Sequence, residues 1–275
     1  MKRTRQGLLV TAATFLSTLA LVPLFAADVP AGLGDPGTLT AIKVEPNLNG
    51  AGVTLRGRDA RQQLYVTGEY SSGQQRDFTR TVQYSIAPEG IATISANGMV
   101  APLMDGNAIV KATTPEGAVG ELAVHVEGVA VPYQINFGNQ IVPIFTKLGC
   151  NSGGCHGKAS GQNGFKLSLL GFYPNDDHEF LVKEGRGRRL FPSSPSESLL
   201  LTKATGRSPH GGGKRMEVDS HEYRLIYRWV EQGTPFGSEK DPVVTGIQCY
   251  PPGRIMARGS EQQFCVIATY SDGTT

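Results

Sequence analysis

Cys150, Cys155 and His156, within LGCNSGGCHG (148–157), are the residues best equipped for chemistry. Two thiols with an imidazole directly behind the second admit three uses. They can attach a c-type haem through two thioethers with the histidine on the iron, they can ligate zinc, or the thiols can bond to each other. Haem attachment ordinarily uses C-x-x-C-H, and the spacing here is C-x4-C-H, two residues longer. Both sulfurs must reach the porphyrin while the histidine stays beneath the iron. Ser152, Gly153 and Gly154 let the longer loop bulge outward without moving its ends. A zinc site would recruit His156 and His210 beside the two cysteines, at a ligand spacing atypical for a tetrahedral centre.

The elements that must position this motif lie in residues 129–240, where strand-like alternation stops. NQIVPIFTKLGC (139–150) leads into glycine-rich loops and then DSHEYRLIYRWVEQG (219–233), the clearest helix in the chain. Asp219 is placed to cap it, with Glu222 three residues on. Tyr223, Ile226, Tyr227 and Val230 recur at helical spacing, and Leu225 and Trp229 widen that apolar face. Gly233 stands where a helix-ending glycine belongs. A second short helix is expected at SPSESLLL (194–201), with Ser196 as its cap.

Two stretches on either side of this segment read alike. QQLYVTGEYSSG (62–73) answers QQFCVIATYSDG (262–273), and IKVEP (42–46) answers IQCYP (247–251). Ile42 and Val44, Leu64 and Val66, then Leu122, Val124 and Val126 alternate with polar neighbours, and glycine turns at 97–98 and 116–117 break the runs. That pattern predicts a small antiparallel sandwich over 38–128. Its YSSG segment with Asp77 and Thr79 resembles the bacterial Ig-like group 2 domains of exported, cell-surface proteins. The second copy, over 241–275, holds only the first strands of such a sandwich, so the chain is expected to be a fragment of a longer protein. Cys249 and Cys265 fall where the first copy has Val44 and Tyr65. A disulfide between adjacent strands is their simplest use, and a buried small hydrophobe is the rival reading of Cys249.

With the flanking motifs in view, residues 140–237 resemble the planctomycete-type cytochrome c domain. The resemblance rests on GCNSGGCHGKASGQNGFKLSLLGF (149–172), PSESLLLTK (195–203), HGGGKR (210–215) and YRLIYRWVEQG (223–233). It implies a haem c held by Cys150 and Cys155 with His156 as proximal iron ligand, and a Trp-bearing helix packed across the helix before the motif, through Val142 and Phe145 against Trp229. Such domains usually offer Met-Pro ahead of the closing tryptophan as distal ligand. Met216 lies thirteen residues before Trp229 and is followed by Glu217, whereas His210 lies nineteen before it on a glycine-rich loop. His210 is therefore the preferred distal ligand and Met216 the second choice. Both also have a plain reading, as a loop histidine and a packing methionine.

The chain opens MKRTRQGLLVTAATFLSTLALVPLFAADVP, with Lys2, Arg3 and Arg5 before an apolar run and Ala26–Ala27 after it. That is the layout of an export signal over 1–27, followed by a linker over 28–37. The rival is a membrane anchor, but Thr11, Thr14, Ser17 and Thr18 dilute the run and no basic stop-transfer cluster follows. A periplasmic or cell-surface location is expected. Net charge is +2, with no basic stripe, which argues against nucleic acid as a partner. HGGGK (210–214) is like an esterase oxyanion loop, yet the chain has no G-x-S-x-G elbow. Nor is it a phosphate loop, since Ser208 replaces the first glycine and Arg215 the final Ser/Thr. KEGRGRR (183–189) reads as a solvated basic loop, or as a partner for haem propionates.

The expected architecture is thus an all-β Ig-like sandwich, a small mostly α-helical cytochrome c-like domain, and a truncated second sandwich. The expected function is one-electron transfer to a redox partner, with the Ig-like domains as spacers or as contacts to surface polysaccharide or protein. The alternative is a haem-free structural or carbohydrate-binding surface protein with a Cys150–Cys155 disulfide. A catalytic domain, if there is one, would lie beyond Thr275.

Overall fold

The computed structural model describes residues 32–275, so the expected signal and the first part of the linker lie outside the described residues. Ten strands follow in order: β1 (Leu39–Glu45), β2 (Val53–Arg56), β3 (Gln62–Gln63), β4 (Tyr65–Tyr70), β5 (Gln75–Asp77), β6 (Gln83–Ala87), β7 (Ala92–Ile94), β8 (Met99–Pro102), β9 (Gly106–Thr113) and β10 (Val119–Glu127). They form sheets of order β1-β4-β5, β2-β10-β9-β6 and β3-β8-β7, antiparallel except where β2 runs parallel to β10. The alternation seen in the sequence becomes the two faces of these strands. Ile42, Val44, Leu64, Val66, Leu122 and Val124 are all buried in one core, which the period of two requires. Asp77 and Thr79 close the corner: Asp77 accepts from the Thr79 amide at 2.6 Å, and the fully buried Thr79 hydroxyl accepts from Val66 N at 2.9 Å.

Residues 129–240 contain four helices: α1 (Val142–Lys147), α2 (Pro174–Val182), α3 (Leu199–Ala204) and α4 (His221–Glu231). A π-helical turn, Phe137–Ile141, feeds α1. The predicted final helix is α4, and Gly233 follows it in the left-handed region at φ 84°. Its cap differs from the expectation. Ser220 accepts from Tyr223 N at 3.2 Å, because Asp219 is turned into the left-handed region at φ 62°. The second short helix, α3, is likewise preceded by Ser198, while Ser196 belongs to a 3-10 turn over Pro195–Glu197. Trp229 and Phe145 both pack on Phe137, at ring separations of 5.4 and 6.3 Å, so the anticipated contact of α4 with α1 runs through Phe137.

The sequence repeat is a structural repeat. Strands β11 (Val244–Tyr250) and β12 (Cys265–Tyr270) pair as β1 and β4 do, with Cys249 opposite Val266 where Val44 is opposite Val66. This register corrects the disulfide reading. Cys265 pairs with Tyr250, one position away from Cys249, so the two side chains leave opposite faces of the hairpin. Cys265 is buried with Tyr65 and Ile267, Cys249 is exposed, and both are free thiols. The hairpin also docks on the first sandwich through Arg254 to the Thr67 hydroxyl (3.0 Å) and Gln262 to Asp77 (2.9 Å). Its other face exposes Ile247, Phe264 and Val266, the counterparts of the buried Ile42, Leu64 and Val66.

Candidate functional site

Two residues past the end of helix α1, Gly149 adopts φ 73°, and the Cys150 amide then donates to Phe145 O at 2.8 Å. This return of the chain sets the Cys150 side chain, half-buried, against the helical core. The loop from Cys150 to Gly157 is closed by its own backbone. His156 N donates to Cys150 O at 3.0 Å, Cys155 N to Ser152 O at 2.9 Å, and Gly157 N to Ser152 O at 3.0 Å. Gly153 and Gly154 are the exposed tip, so the two extra residues do swell outward there. Asn151 goes the other way: it is 1% exposed, donates to the Thr146 hydroxyl at 2.9 Å, and leaves its Oδ1 buried without a partner. Gly157 permits the closure, because a Cβ there would stand 2.0 Å from the Asn151 carbonyl oxygen.

His156 is fixed on both sides. Its amide and carbonyl are bonded to Cys150 O and Leu167 N, and its ring lies 4.6 Å from that of Phe165. The ring Nδ1 is 3.0 Å from Phe165 O. A carbonyl only accepts, so Nδ1 carries the proton and Nε2 is left as a bare lone pair. Burial, followed by the opposing charge of nearby His210, Arg189 and Lys203 against the Phe165 bond, holds its pKa below the usual imidazole value. His210 repeats the arrangement, donating from Nδ1 to Gly213 O at 2.8 Å. The two rings are nearly parallel, at 7°, with centroids 6.5 Å apart.

Cys150, Cys155, His156 and His210 all line one cavity of about 970 Å³, a size at the upper end of cofactor and small-molecule sites. Phe145, Phe165, Leu167, Leu181, Leu199 and Leu200 make much of its wall apolar. Four cations, Arg188, Arg189, Lys203 and Arg215, also line it, and among the described residues no carboxylate does. Burial pushes the Cys150 thiol up to about 11, against the pull of Arg215, so it is a neutral thiol at physiological pH. Arg215 Nη2 lies 4.0 Å from Cys155 Sγ. Arg189 is 5% exposed and donates to Phe180 O, Glu184 O and Gly164 O at 2.7–2.8 Å. The stretch 183–189 is therefore not uniformly a solvated loop: Lys183 and Arg186 are exposed, and Arg189 points inward over the Phe165 ring at 4.6 Å.

Met216 does not line the cavity; it is buried in the helical core, with its amide bonded to Ala204 O. Cys150 and Cys155 are free thiols, not a disulfide. Among the described residues no three His, Cys, Asp or Glu side chains are grouped to hold a metal ion. The remaining histidines, His125, His178 and His221, lie outside the cavity lining. Sequence reasoning did not single out Asn151, Gly157, Phe165, Lys203 or Arg215. Only Gly157 had a local sign, a glycine directly after the histidine.

Among the described residues no helix is long and apolar enough to cross a membrane. No curated protein matches the chain. Among solved structures, domains 4 and 5 of the S-layer protein SbsC align at 18% identity over 33% of this chain and 46% of that one, with a TM-score of 0.27. The chain thus spans about half of that structure's length. A mutant intimin of EHEC O157:H7 aligns at 15% identity over 44% of this chain and 71% of that one, with a TM-score of 0.25. Residues 40–123 match the family model of the bacterial Ig-like domain (group 2), and with strands β1 to β10 spanning the match, this part of the chain is such a domain.

Proposed function

We propose that residues 129–240 are a cytochrome c-like module. Cys150 and Cys155 would hold a c-type haem by thioethers, with His156 and His210 as the residues that would ligate its iron. The reading is supported by one observation above the others: two parallel imidazoles share a cavity with both thiols, each tied back through Nδ1 so that Nε2 is free. Such backbone anchoring of the second nitrogen is how ligating histidines are oriented. The cavity volume and apolar wall suit a macrocycle, and its uncompensated cations suit a group that carries carboxylates.

Haem bound there supplies one-electron chemistry between ferrous and ferric iron. The chain's own residues set the conditions. Phe165 O holds the proton on His156 Nδ1, and the Arg189 fork steadies the Gly164–Phe165 segment that carries that carbonyl. Leu181, Leu199 and Phe145 exclude water, and Arg215 and Lys203 offset negative charge. Two histidine ligands give a lower potential than a histidine–methionine pair. The module works in an exported protein, at the periplasm or cell surface, passing electrons to a redox partner. The Ig-like domain acts as spacer or as contact to surface polysaccharide or protein.

The test is an alkaline pyridine haemochrome spectrum of the chain expressed with its own leader and a c-type maturation system. The expected result is a reduced band of haem held through two thioethers that survives acid–acetone extraction and is lost in Cys150→Ala/Cys155→Ala. Colourless protein with Cys150 and Cys155 linked in a mass map would overturn the proposal and leave a disulfide-braced, haem-free surface module.

A further inference from the structure

The loop Pro209–Gly213 carries His210 and three consecutive glycines, and the three are not equivalent. Gly213 adopts φ 72°, and its carbonyl accepts the His210 Nδ1 proton. Gly211 has open space where a Cβ would stand, and its φ lies outside the left-handed region. Gly212 shares that ordinary backbone, yet a Cβ there would lie 3.0 Å from Cε1 and 3.3 Å from Nε2 of His210, and 3.3 Å from Nη2 of Arg215. Those separations are shorter than the roughly 3.5–4.0 Å of an optimal carbon contact. The atoms a methyl would crowd are the edge of His210 that carries the free lone pair and the guanidinium nearest Cys155.

We infer that Gly212 is the positioning residue for His210: its missing side chain lets the His210 ring lie parallel to that of His156 with its Cε1–Nε2 edge uncrowded. This rests on the haem reading above. The argument for a specific role is where the strain of a methyl would go. Both neighbours are the far ends of flexible side chains, so the imidazole turns aside while the backbone stays. A glycine kept only for loop flexibility would show no such distinction from Gly211.

The experiment uses the full chain, exported and loaded with haem, as wild type, Gly211→Ala and Gly212→Ala, with His210→Ala as the reference for a missing distal ligand. Spin state is read by absorption and electron paramagnetic resonance, and the dissociation constant is measured for added imidazole. Wild type and Gly211→Ala should be low-spin with equal imidazole affinity. Gly212→Ala should gain a high-spin fraction, as His210→Ala does, and bind imidazole roughly tenfold more tightly or better, at an unchanged melting temperature. In the haem-free chain the Cε1–H resonance of His210 should shift in Gly212→Ala and not in Gly211→Ala. The inference is overturned if Gly212→Ala matches wild type in spectrum and imidazole affinity, if Gly211→Ala behaves like it, or if the resonance stays in place. Wild type that takes up no haem would instead sink the reading beneath it, and that failure appears before any variant is made.

Discussion

Arg189 offers the strongest test of how the pocket is built. The residue is 5% exposed and its guanidinium donates to three backbone carbonyls, Phe180 O, Glu184 O and Gly164 O, so it ties α2 to the loop in front of Phe165. A hydrogen bond to a charged group contributes about 1.5–3 kcal/mol net. Three such bonds on one side chain are not additive, and removing the donor leaves three carbonyls short of a partner at up to about 1–3 kcal/mol each. Arg189→Met should therefore destabilise by about 3–4 kcal/mol. Arg189→Lys keeps the charge but not the fork, and should cost about 2 kcal/mol. At roughly 2–4 °C per kcal/mol for domains of 150–250 residues, the Met variant should melt about 6–16 °C lower. Circular dichroism melts and urea titrations measure this directly. The neighbouring Arg188 is exposed, and Arg188→Met should stay within about 0.5 kcal/mol, as ordinary surface changes do. If Arg189→Met also fell within that band, the buried fork would not be holding the loop, and its link to His156 through Phe165 would be refuted.

Three further outcomes are expected. In Gly157→Ala the new Cβ meets the Asn151 and Ser152 carbonyls, which are backbone and cannot turn aside, so it should cost about 1–3 kcal/mol and lower the haem-to-protein ratio. Gly153→Ala, at the open tip, should do neither, and equal loading of the two variants would contradict the closed-loop geometry. Asp59 accepts from Arg228 at 2.5 Å and from the Tyr133 hydroxyl, with both charged side chains largely buried; Asp59→Asn should cost about 1–2 kcal/mol in urea titration, and less than about 0.5 kcal/mol would refute the clamp. Burial, then Arg61, holds the His221 pKa below its ordinary value. As pH falls through about 6.5 the unfolded chain binds that proton first, so stability should decline with acidification through this window. His221→Gln should flatten the slope of melting temperature between pH 7.5 and 5.5, and an unchanged slope would show that His221 does not carry it.

Where a feature is periodic or local, the sequence displays it. Alternation of Ile42, Val44, Leu64 and Val66 with polar neighbours placed the sandwich core, and the repeated QQ and IxxxP stretches anticipated two hairpins of one register. The spacing of Tyr223, Ile226 and Val230 anticipated α4. What was not legible depends on backbone carbonyls brought in from afar. KEGRGRR gives no sign that its last arginine is the buried one, because two of the three groups that receive it belong to residues 164 and 180, outside the stretch. Met216 is the second choice because it lies only thirteen residues before Trp229, and its amide is tied to the end of α3, which takes its side chain into the core. Asp219 and Ser220 are equally good capping residues by type, and the left-handed turn at Asp219 decides between them. Cys249 and Cys265 differ by one step of register, a shift that composition cannot reveal and that sends the two thiols to opposite faces.

The same helix that closes the pocket's core also fastens it to the sandwich, and this gives the Ig-like domain a mechanical part in the site. Trp229, Ile226 and Val230 of α4 are fully buried in the core shared with Phe137 and Phe145. Arg228, on another side of the helix, reaches Asp59 in the sandwich, while Glu222 in its first turn accepts from Lys147 at the end of α1 at 2.8 Å. Lys147 immediately precedes the Leu148–Cys150 turn that aims the first thiol. Loosening Asp59 from Arg228 therefore acts on α4, and through Glu222 and Phe137 on the helix that presents Cys150. A module joined to its neighbour only by a flexible linker would have no such route. Here Asp59 of the sandwich is paired with Arg228 of α4, so the helical segment that holds the cavity is fastened to the Ig-like domain by a largely buried ion pair.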